Sequence, residues 1–492
     1  MDSLNSAQAD HREIELKLEL DPADAESFRQ LGLLRDSEAR TRRQVTTYYD
    51  RPDGLIGARG FTLRVRQIGD RFVQTVKPTT ESAGLVSRAE YESDVYSITP
   101  DLNALSATPL ASLAAAGELD GLAPTMRSEM TRTIWQVEVG GSRIQLDFDE
   151  GGIEAGGRSQ AFTELELELL SGDPECLFAA AKQIADQVPV RLGVLTKAER
   201  GHRLAAGAHK KIVKAAAVAV DSSMTIAEAF DVIVQACLRQ YRLNEPLVTS
   251  RRKLDALHQA RVSMRRLRSA FTLFKSAIRD AEYDYLRGEL RWFTAQLGDA
   301  RNLDVFLQRD LPAGEREALT ERRESAYDHL IEVMDSRRFR MLMLELAQWT
   351  AFGPWRSSKR AGKPVFGYAG KQLDRLWESI SEAGRHFADL PEDDRHELRI
   401  EVKKMRYAIE FLSGLYPSAK VAEAKFADAI EELQESLGKL NDLAVARTLV
   451  DAGATGDDWL IGEPEERLHL RESERAFRDL AAVGPFWRLP FA

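Results

Sequence analysis

Cysteine is scarce in this chain: Cys176 and Cys237 are the only two in 492 residues, and they stand far apart in no ligand-spacing pattern. That excludes a disulfide framework and a structural zinc site, and it reads as reduced thiols in a cytoplasmic protein. Long apolar runs are missing too. None reaches the ~18 residues that a membrane span needs, so no membrane partner is expected. The opening stretch, Met1 to His11, is polar and acidic and lacks the apolar core of a signal peptide, so secretion is not signalled. There is also no P-loop, no glycine-rich dinucleotide fingerprint and no nucleophile elbow, which removes the commonest nucleotide-binding and acyl-transfer chemistries.

What remains is a globular composition with 43% hydrophobic and 30% charged residues. A chain of 492 residues is too long for one ordinary core, and two to four domains are expected. The net charge of −10 is unevenly placed. Residues 1–205 hold 23 Lys and Arg against 33 Asp and Glu, a balance of −10, so the remainder is neutral. The overall charge therefore identifies no partner, and local stripes decide.

Residues 11–205 carry short alternating segments at 13–20, 44–50, 61–67, 71–77, 87–95, 131–139, 143–149 and 162–170. Turn signals such as Pro52-Asp53-Gly54 and Gly140-Gly141 separate several of them. Eight regular short strands predict an antiparallel sheet or closed barrel. Asp21-Pro22 reads as a helix start, with Asp21 as cap and Pro22 in the first position. A linker rich in Ala, Lys and Gly follows at 206–222. Thr225 and Glu228 then form a capping box, and 223–485 reads as helical, interrupted around Phe352 to Lys371.

The helical part is duplicated, with halves at about 223–350 and 370–485. His258, Arg261, Arg265, Arg266 and Arg268 recur at identical spacing as His396, Arg399, Lys403, Lys404 and Arg406. About 40 residues after each lies a matching segment, Leu297-Gly298-Asp299 and Leu437-Gly438-Lys439. Such a duplication suggests paired bundles about a pseudo-two-fold axis. At ~100° per residue His258, Arg261, Arg265 and Arg268 share one helix face, and Ala260, Met264, Leu267, Phe271 and Phe274 share the other. One basic stripe alone is an ordinary solvated face. Two at equal spacing suit a phosphate-rich polymer. No aromatics interleave with them, so stacked bases are not expected, and a phosphate chain without bases is favoured over nucleic acid.

In the strand-rich part charge sits on alternate positions. Glu13, Glu15 and Lys17 face one way and Ile14, Leu16 and Leu18 the other. Arg64 and Arg66 share a face, Lys77 ends the next strand, and Arg88, Glu90 and Glu92 share another, as do Glu164, Glu166 and Glu168. Cross-strand ion pairs on a wet face explain any single strand. Together they predict a barrel with an ionic interior, where carboxylates offer hard ligands to Mg²⁺ or Mn²⁺ and cations neutralise phosphate. That is the equipment of phosphoryl transfer.

At these residues the chain resembles the CYTH superfamily of triphosphate tunnel metalloenzymes. Glu13-x-Glu15-x-Lys17 matches its hallmark strand. Further matches are Tyr49-Asp50, Arg64-Val65-Arg66, Lys77, Arg88-Ala89-Glu90, Arg132, Asp149-Glu150-Gly151, the Glu164–Glu168 strand and Lys197-Ala198-Glu199-Arg200-Gly201. The helical part is similar to CHAD domains, which bind inorganic polyphosphate. One departure is Asn302 in the first Leu-Gly segment, where Asp442 stands in the second, so that a cap or hinge role at 302 is in doubt.

The resemblance implies an α+β chain: an eight-stranded tunnel that hydrolyses or cyclises triphosphates, followed by a helical polyphosphate-binding domain. It implies Glu13, Glu15, Glu164, Glu166, Glu168 and Asp149 as metal ligands for Mg²⁺ or Mn²⁺. Lys17, Arg64, Arg66, Lys77, Arg88, Arg132 and Lys197 would hold the triphosphate, and Glu13, Glu15 and Lys17 would carry catalysis by a metal-activated water. The expected partners are inorganic triphosphate and long-chain polyphosphate, with an association with polyphosphate granules; oligomeric state is left open. The rival readings are an organic triphosphatase acting on thiamine triphosphate or a nucleotide, a class IV adenylate cyclase, and a non-catalytic polyphosphate-binding scaffold.

Overall fold

The computed structural model describes residues 12–79, 83–308, 313–451 and 463–489. Ten strands form one antiparallel sheet: β1 (Arg12–Leu20), β2 (Arg40–Asp50), β3 (Phe61–Ile68), β4 (Arg71–Pro78), β5 (Leu85–Ala89), β6 (Tyr91–Val95), β7 (Ala123–Val139), β8 (Ser142–Ala155), β9 (Arg158–Ser171) and β10 (Val190–Leu192). Their order is β10-β1-β9-β8-β7-β2-β3-β4-β6, and β5 pairs with β1. The ladder therefore returns on itself: β6 hydrogen-bonds β4, and after a break at Glu90 the same run hydrogen-bonds β1 as β5.

The expected count of eight is corrected to ten for two reasons. The alternating run 87–95 changes partner at Glu90 and becomes two strands. The three-residue β10 pairs Leu18–Leu20 of β1 and is too short to show a pattern. Closure puts alternate residues of each strand inside the ring. On β1, Glu15 and Lys17 face the enclosed space, while the wholly buried Leu16 and Leu18 face outward.

The outer face of the ring is covered by short helices. Asp21 caps its 3₁₀ turn by accepting from the Ala23 amide at 3.0 Å, and this leads into α1 (Ala25–Arg29). Phe28 of α1 stacks on Phe148 with centroids 4.8 Å apart and meets Trp135 edge-on at 5.8 Å. Helices α2 (Leu55–Ala58) and α3 (Ala111–Ala115) close a second apolar cluster around Leu63, Val65 and Val76. Helix α4 (Glu175–Gln187) buries Leu177, Phe178, Ala181 and Ile184. Helix α5 (Lys197–Ala205) begins at a capping box, Thr196 with Glu199.

Among the described residues nine longer helices follow: α6 (Ile226–Thr249), α7 (Leu254–Ile278), α8 (Tyr283–Phe306), α9 (Ala313–Asp335), α10 (Arg337–Phe352), α11 (Val365–Arg385), α12 (Glu392–Leu412), α13 (Lys420–Asp451) and α14 (Glu463–Val483). The Thr225–Glu228 box opens α6, with the Thr225 amide donating to Glu228 at 2.8 Å. The helical break spans residues 353–364, within the expected interval. The repeated motifs occupy corresponding helices: the His-Arg stripes lie on α7 and α12, and the Leu-Gly segments on α8 and α13. Asn302 lies inside α8 and starts no helix, while the side chain of Asp442 is outside the described residues.

By compactness the chain forms two units. One comprises Met1–Ala215, Gln235–Met264 and Gly288–Gly353; the other comprises Ala216–Val234, Arg265–Arg287 and Pro354–Ala492. In the first, Tyr241, Phe293 and Phe339 cluster, with the latter two at 4.2 Å. In the second, Phe230 sits among Phe271, Phe274 and Trp355, and Phe426 packs on Trp487 at 5.2 Å. Among the described residues no helix is long and apolar enough to cross a membrane.

Candidate functional site

The ring encloses a cavity of about 230 Å³ whose lining is mostly ionic. All seven cations expected to hold a triphosphate line it: Lys17, Arg64, Arg66, Lys77, Arg88, Arg132 and Lys197. Of the six carboxylates expected to hold metal, Glu13, Glu15, Glu166 and Glu168 line it. Glu164 and Asp149 lie in the wall, fully buried and committed to cations. Arg42, Tyr48, Glu90, Glu92, Asp147 and Glu199 also line it, with uncharged neighbours such as Thr62, Gln145 and Thr196.

These side chains converge because each occupies the inward register of its strand. Lys17 stands opposite Glu166 across the β1–β9 ladder and pairs with it at 2.8 Å. Glu15 accepts from Arg88 on β5 at 2.8 Å. Glu90, at the break between β5 and β6, accepts from Lys77 at 2.6 Å and from Arg64 at 3.0 Å. Arg132 of β7 forks onto Asp149 of β8 at 2.6 Å, reaches Glu166 at 2.7 Å and also contacts Asp147. Lys197, at the first turn of α5, closes the ring with Asp149 and Glu164 at 2.9 Å and Glu166 at 3.1 Å. The approach is close at one point: a side chain at Gly193 would meet Lys17 Cγ at 2.4 Å, so glycine there gives Lys17 its room.

Burial and neighbours divide the carboxyls into two groups. Glu164 is held down at about 2, because Lys197, Arg200 and Lys17 outweigh its burial. Glu166 is likewise well below the usual range despite its burial, through Lys17, Lys197 and Arg132. Glu13 is pushed up to about 7, first by burial and then by Glu15 and Glu90 against the pull of Lys77. Glu168 also rises to about 7, through burial and the charges of Asp147, Glu15 and Glu90. Asp147 reaches about 6, again mainly from burial. Among the cations Arg66 is lowered to about 10 by burial and by Arg64 and Arg132. Among the described residues it makes no ion pair, and its Nε is buried without a hydrogen bond.

The donor chemistry suits a divalent cation. Glu13, Glu15, Glu90 and Glu168 are hard oxygen donors that repel one another, and the raised Glu13 and Glu168 show that the cluster favours added positive charge. Among the described residues no three carboxylates converge at ligand distance, since Glu13, Glu15 and Glu90 are drawn onto Lys77 and Arg88.

Extending the sequence pattern finds the residues that it missed. Strand β2 begins at Arg40 rather than 44, and the inward alternation back from Tyr48 through Thr46 and Gln44 reaches Arg42. Asp147 lies two residues before Asp149 on the inward face of β8. Tyr48 carries no charge, so alternation of charge along β2 does not mark it. Its phenol is lowered: burial opposes ionisation, but Arg64 and Arg66 prevail.

On the helices the wheel holds for the apolar face, with Ala260, Met264, Leu267, Phe271 and Phe274 all fully buried. His258 and His396 are exposed, and Arg261, Arg265, Arg268, Arg399, Lys403 and Arg406 are half-buried. Arg266 lies off the stripe: it is 1% exposed and pairs with Glu410 at 2.7 Å over the ring of Phe411. Its counterpart Lys404 is half-exposed and pairs within its own helix with Glu401 at 2.5 Å. Arg261 lies so close to Gly298 that a side chain there would meet its Nη1 at 2.3 Å, which ties the first stripe to the first Leu-Gly segment. Gly438 has no such neighbour.

A closed antiparallel ring with charged side chains inside, followed by a duplicated set of helices, is the architecture of a two-domain CYTH–CHAD chain. Residues 11–201 match the CYTH domain and residues 232–451 the CHAD domain, and the chain carries both. An inorganic triphosphatase from Haemophilus influenzae is 32% identical over 197 residues, 39% of this chain and 55% of that protein, so the match spans about half of the relative's length. The CHAD domain from the plant Ricinus communis overlaps with a TM-score of 0.44 at 26% identity, covering 56% of this chain and 93% of that one. A Hippeastrum protein described as an adenylyl cyclase with dominant triphosphatase activity overlaps at 0.31 and 18% identity, covering 40% and 96%.

Proposed function

We propose that the ring is the active site of a divalent-metal-dependent inorganic triphosphatase, and that the duplicated helices bind polyphosphate. In this reading residues 11–205 form the tunnel domain, 206–222 the linker and 223–485 the helical domain. The observation that carries it is the convergence of Lys17, Arg64, Arg66, Lys77, Arg88, Arg132 and Lys197 on one 230 Å³ cavity beside a cluster of mutually repelling carboxylates. The CYTH domain and the inorganic triphosphatase relative support it.

Arg64, Arg66 and Arg88 present guanidinium forks to phosphate oxygens, while Lys17, Lys77 and Lys197 supply point charges. Arg66 matters most for affinity, because among the described residues no carboxylate forms an ion pair with it. Glu13 and Glu15, with Glu168 opposite Glu15 in register, would hold Mg²⁺ or Mn²⁺. When bound, the ion supplies Lewis-acid polarisation of a phosphoryl oxygen and offsets its charge. A water attacks the terminal phosphorus in line, the bond to the bridging oxygen breaks, and diphosphate leaves. The proton released by the water passes to the departing diphosphate oxygen or to solvent.

The small cavity, with Tyr48 as its one aromatic lining residue among the described residues, favours an inorganic chain over a nucleotide or thiamine ester. A scaffold without catalysis needs no such carboxylate cluster. The test is turnover of tripolyphosphate by Glu13→Gln and Glu15→Gln with folding checked by circular dichroism. Loss of about 100-fold or more supports the reading, and near-normal turnover by the folded double variant refutes it.

A further inference from the structure

The contacts that set the cavity's Lys197 do not end at the strand-rich segment. They continue to two arginines one helical turn apart on α6, Arg239 and Arg242, both within the first compact unit. We infer that Arg239 and Arg242 are positioning residues for Lys197: they fix the backbone, the helix cap and the buried charge chain that aim its ammonium into the cavity. This rests on the triphosphate reading of that cavity.

Three observations carry it. The first concerns the backbone leading to Lys197. Arg242 Nε donates to the Leu192 carbonyl at 2.7 Å, and Arg239 Nη1 donates to the Val194 carbonyl. The approach to Lys197 is therefore gripped at two alternate residues by side chains that come from outside the ring.

The second concerns the cap. Glu199 Oε2 accepts from the Thr196 amide at 3.0 Å, and Thr196 Oγ1 accepts from the Glu199 amide at 3.2 Å. The other carboxylate oxygen, Oε1, accepts from Arg239 Nη2 at 2.5 Å. Lys197 is the first residue of the helix that this cap begins, so its Cα is set by a box that Arg239 completes. Glu199 also borders the cavity, so without Arg239 its charge would face the phosphates uncompensated.

The third is the charge chain. Arg242 Nη2 donates to Glu19 Oε2 at 3.0 Å. Arg200 Nη2 donates to Glu19 Oε1 at 3.1 Å and to Glu164 Oε1 at 2.7 Å. Glu164 Oε2 pairs with Lys197 at 2.9 Å. Signs alternate along the whole series; Arg242 at 3% and Glu164 at 0% exposure are buried, and Glu19 between them is half-buried. Buried pairs add little net stability compared with apolar packing, but breaking one leaves a charge that recruits its next partner. Without Arg242, Glu19 keeps Arg200 alone among the described residues. Arg200 is then shared away from Glu164, and Glu164 draws Lys197 out of the cavity.

The test is a double-mutant cycle in the full chain, read by calorimetric binding of tripolyphosphate. R242A should weaken binding by about ten-fold, the order expected when one charge-assisted contact to the ligand is lost. In a K197A background R242A should change affinity by less than about two-fold, because its route to the ligand is gone. R242K should restore part of the loss, since an ammonium can reach Glu19 but cannot fork onto Leu192 as well. R239A should follow the same cycle, and it decides the matter if R242A fails to fold. Wild-type affinity in a folded R242A or R239A variant overturns the inference, and so does an equal loss with and without Lys197. If the wild type itself binds no tripolyphosphate, the triphosphate reading falls and takes the inference with it.

Discussion

Lys17 of β1 and Glu166 of β9 stand opposite one another in the antiparallel register and close a 2.8 Å ion pair inside the ring. Glu166 also meets Lys197 and Arg132, so it is the carboxylate around which three cations gather. Burial opposes charge on Lys17, yet Glu166 and Glu164 raise it above its ordinary value. Lys17→Met should therefore fold, since two cations remain on Glu166. It should lose roughly 1.5–3 kcal/mol of tripolyphosphate binding, a charge-assisted contact. Calorimetry checks this, and unchanged affinity would remove Lys17 from the site.

Arg66 and Arg132 should behave in opposite ways. Arg66→Ala removes a half-buried cation that Arg64 and Arg132 repel, so thermal stability should hold or rise while tripolyphosphate affinity falls by at least about ten-fold. Arg132→Ala strips Asp147, Asp149 and Glu166 of a shared partner and should cost about 3–5 kcal/mol of stability. Melting curves of the two variants side by side decide it, and equal melting temperatures would be the wrong result.

Stability should fall as pH rises through the range of the elevated carboxyls. Between the ordinary carboxylate value of 4.5 and about 7, folded Glu13 and Glu168 keep protons that the unfolded chain has released. Their contribution is thus full below the lower value and lost on passing the upper one. In chelator, denaturation of the wild type should show this decline, and Glu13→Gln/Glu168→Gln should flatten it. An unchanged slope in the double variant would mean that these carboxyls ionise normally.

Polyphosphate binding should depend on both basic stripes. Neutralising His258, Arg261, Arg265 and Arg268 in the full chain should weaken binding of long-chain polyphosphate. Neutralising His396, Arg399, Lys403 and Arg406 as well should abolish it, because multivalent grip is lost. Binding should also weaken with salt as counterions are released. An anisotropy titration reads this, and wild-type affinity in the doubly neutralised chain is the outcome that rules it out.

Much of this was legible in the sequence because a strand's period of two sorts its side chains without ambiguity. Glu13, Glu15 and Lys17 announce a charged face, and that face proved to be the inside of the ring. Depth was not legible: Glu164 and Glu166 share a face, but the first is fully buried in the wall beside Arg200 and only the second reaches the cavity. Nor was the change of partner at Glu90, because alternation within a strand carries no information about which neighbour it pairs with. On α7 the same logic separated Arg261 from Leu267. It also puts Arg266 to the side of the stripe, where that residue meets Glu410 rather than solvent. The roles of Arg239 and Arg242 depend on contacts across more than 40 residues of chain, and no local spacing marks them.

The most direct measurement is phosphate release from tripolyphosphate, ATP and thiamine triphosphate, each with and without Mg²⁺ or Mn²⁺, by the full chain. A tunnel lined by these seven cations and fitted to an inorganic chain should turn over tripolyphosphate with the divalent ion present, and ATP and thiamine triphosphate at least about ten-fold more slowly. Faster release from either organic substrate, or no metal-dependent release from tripolyphosphate by the folded chain, would contradict it.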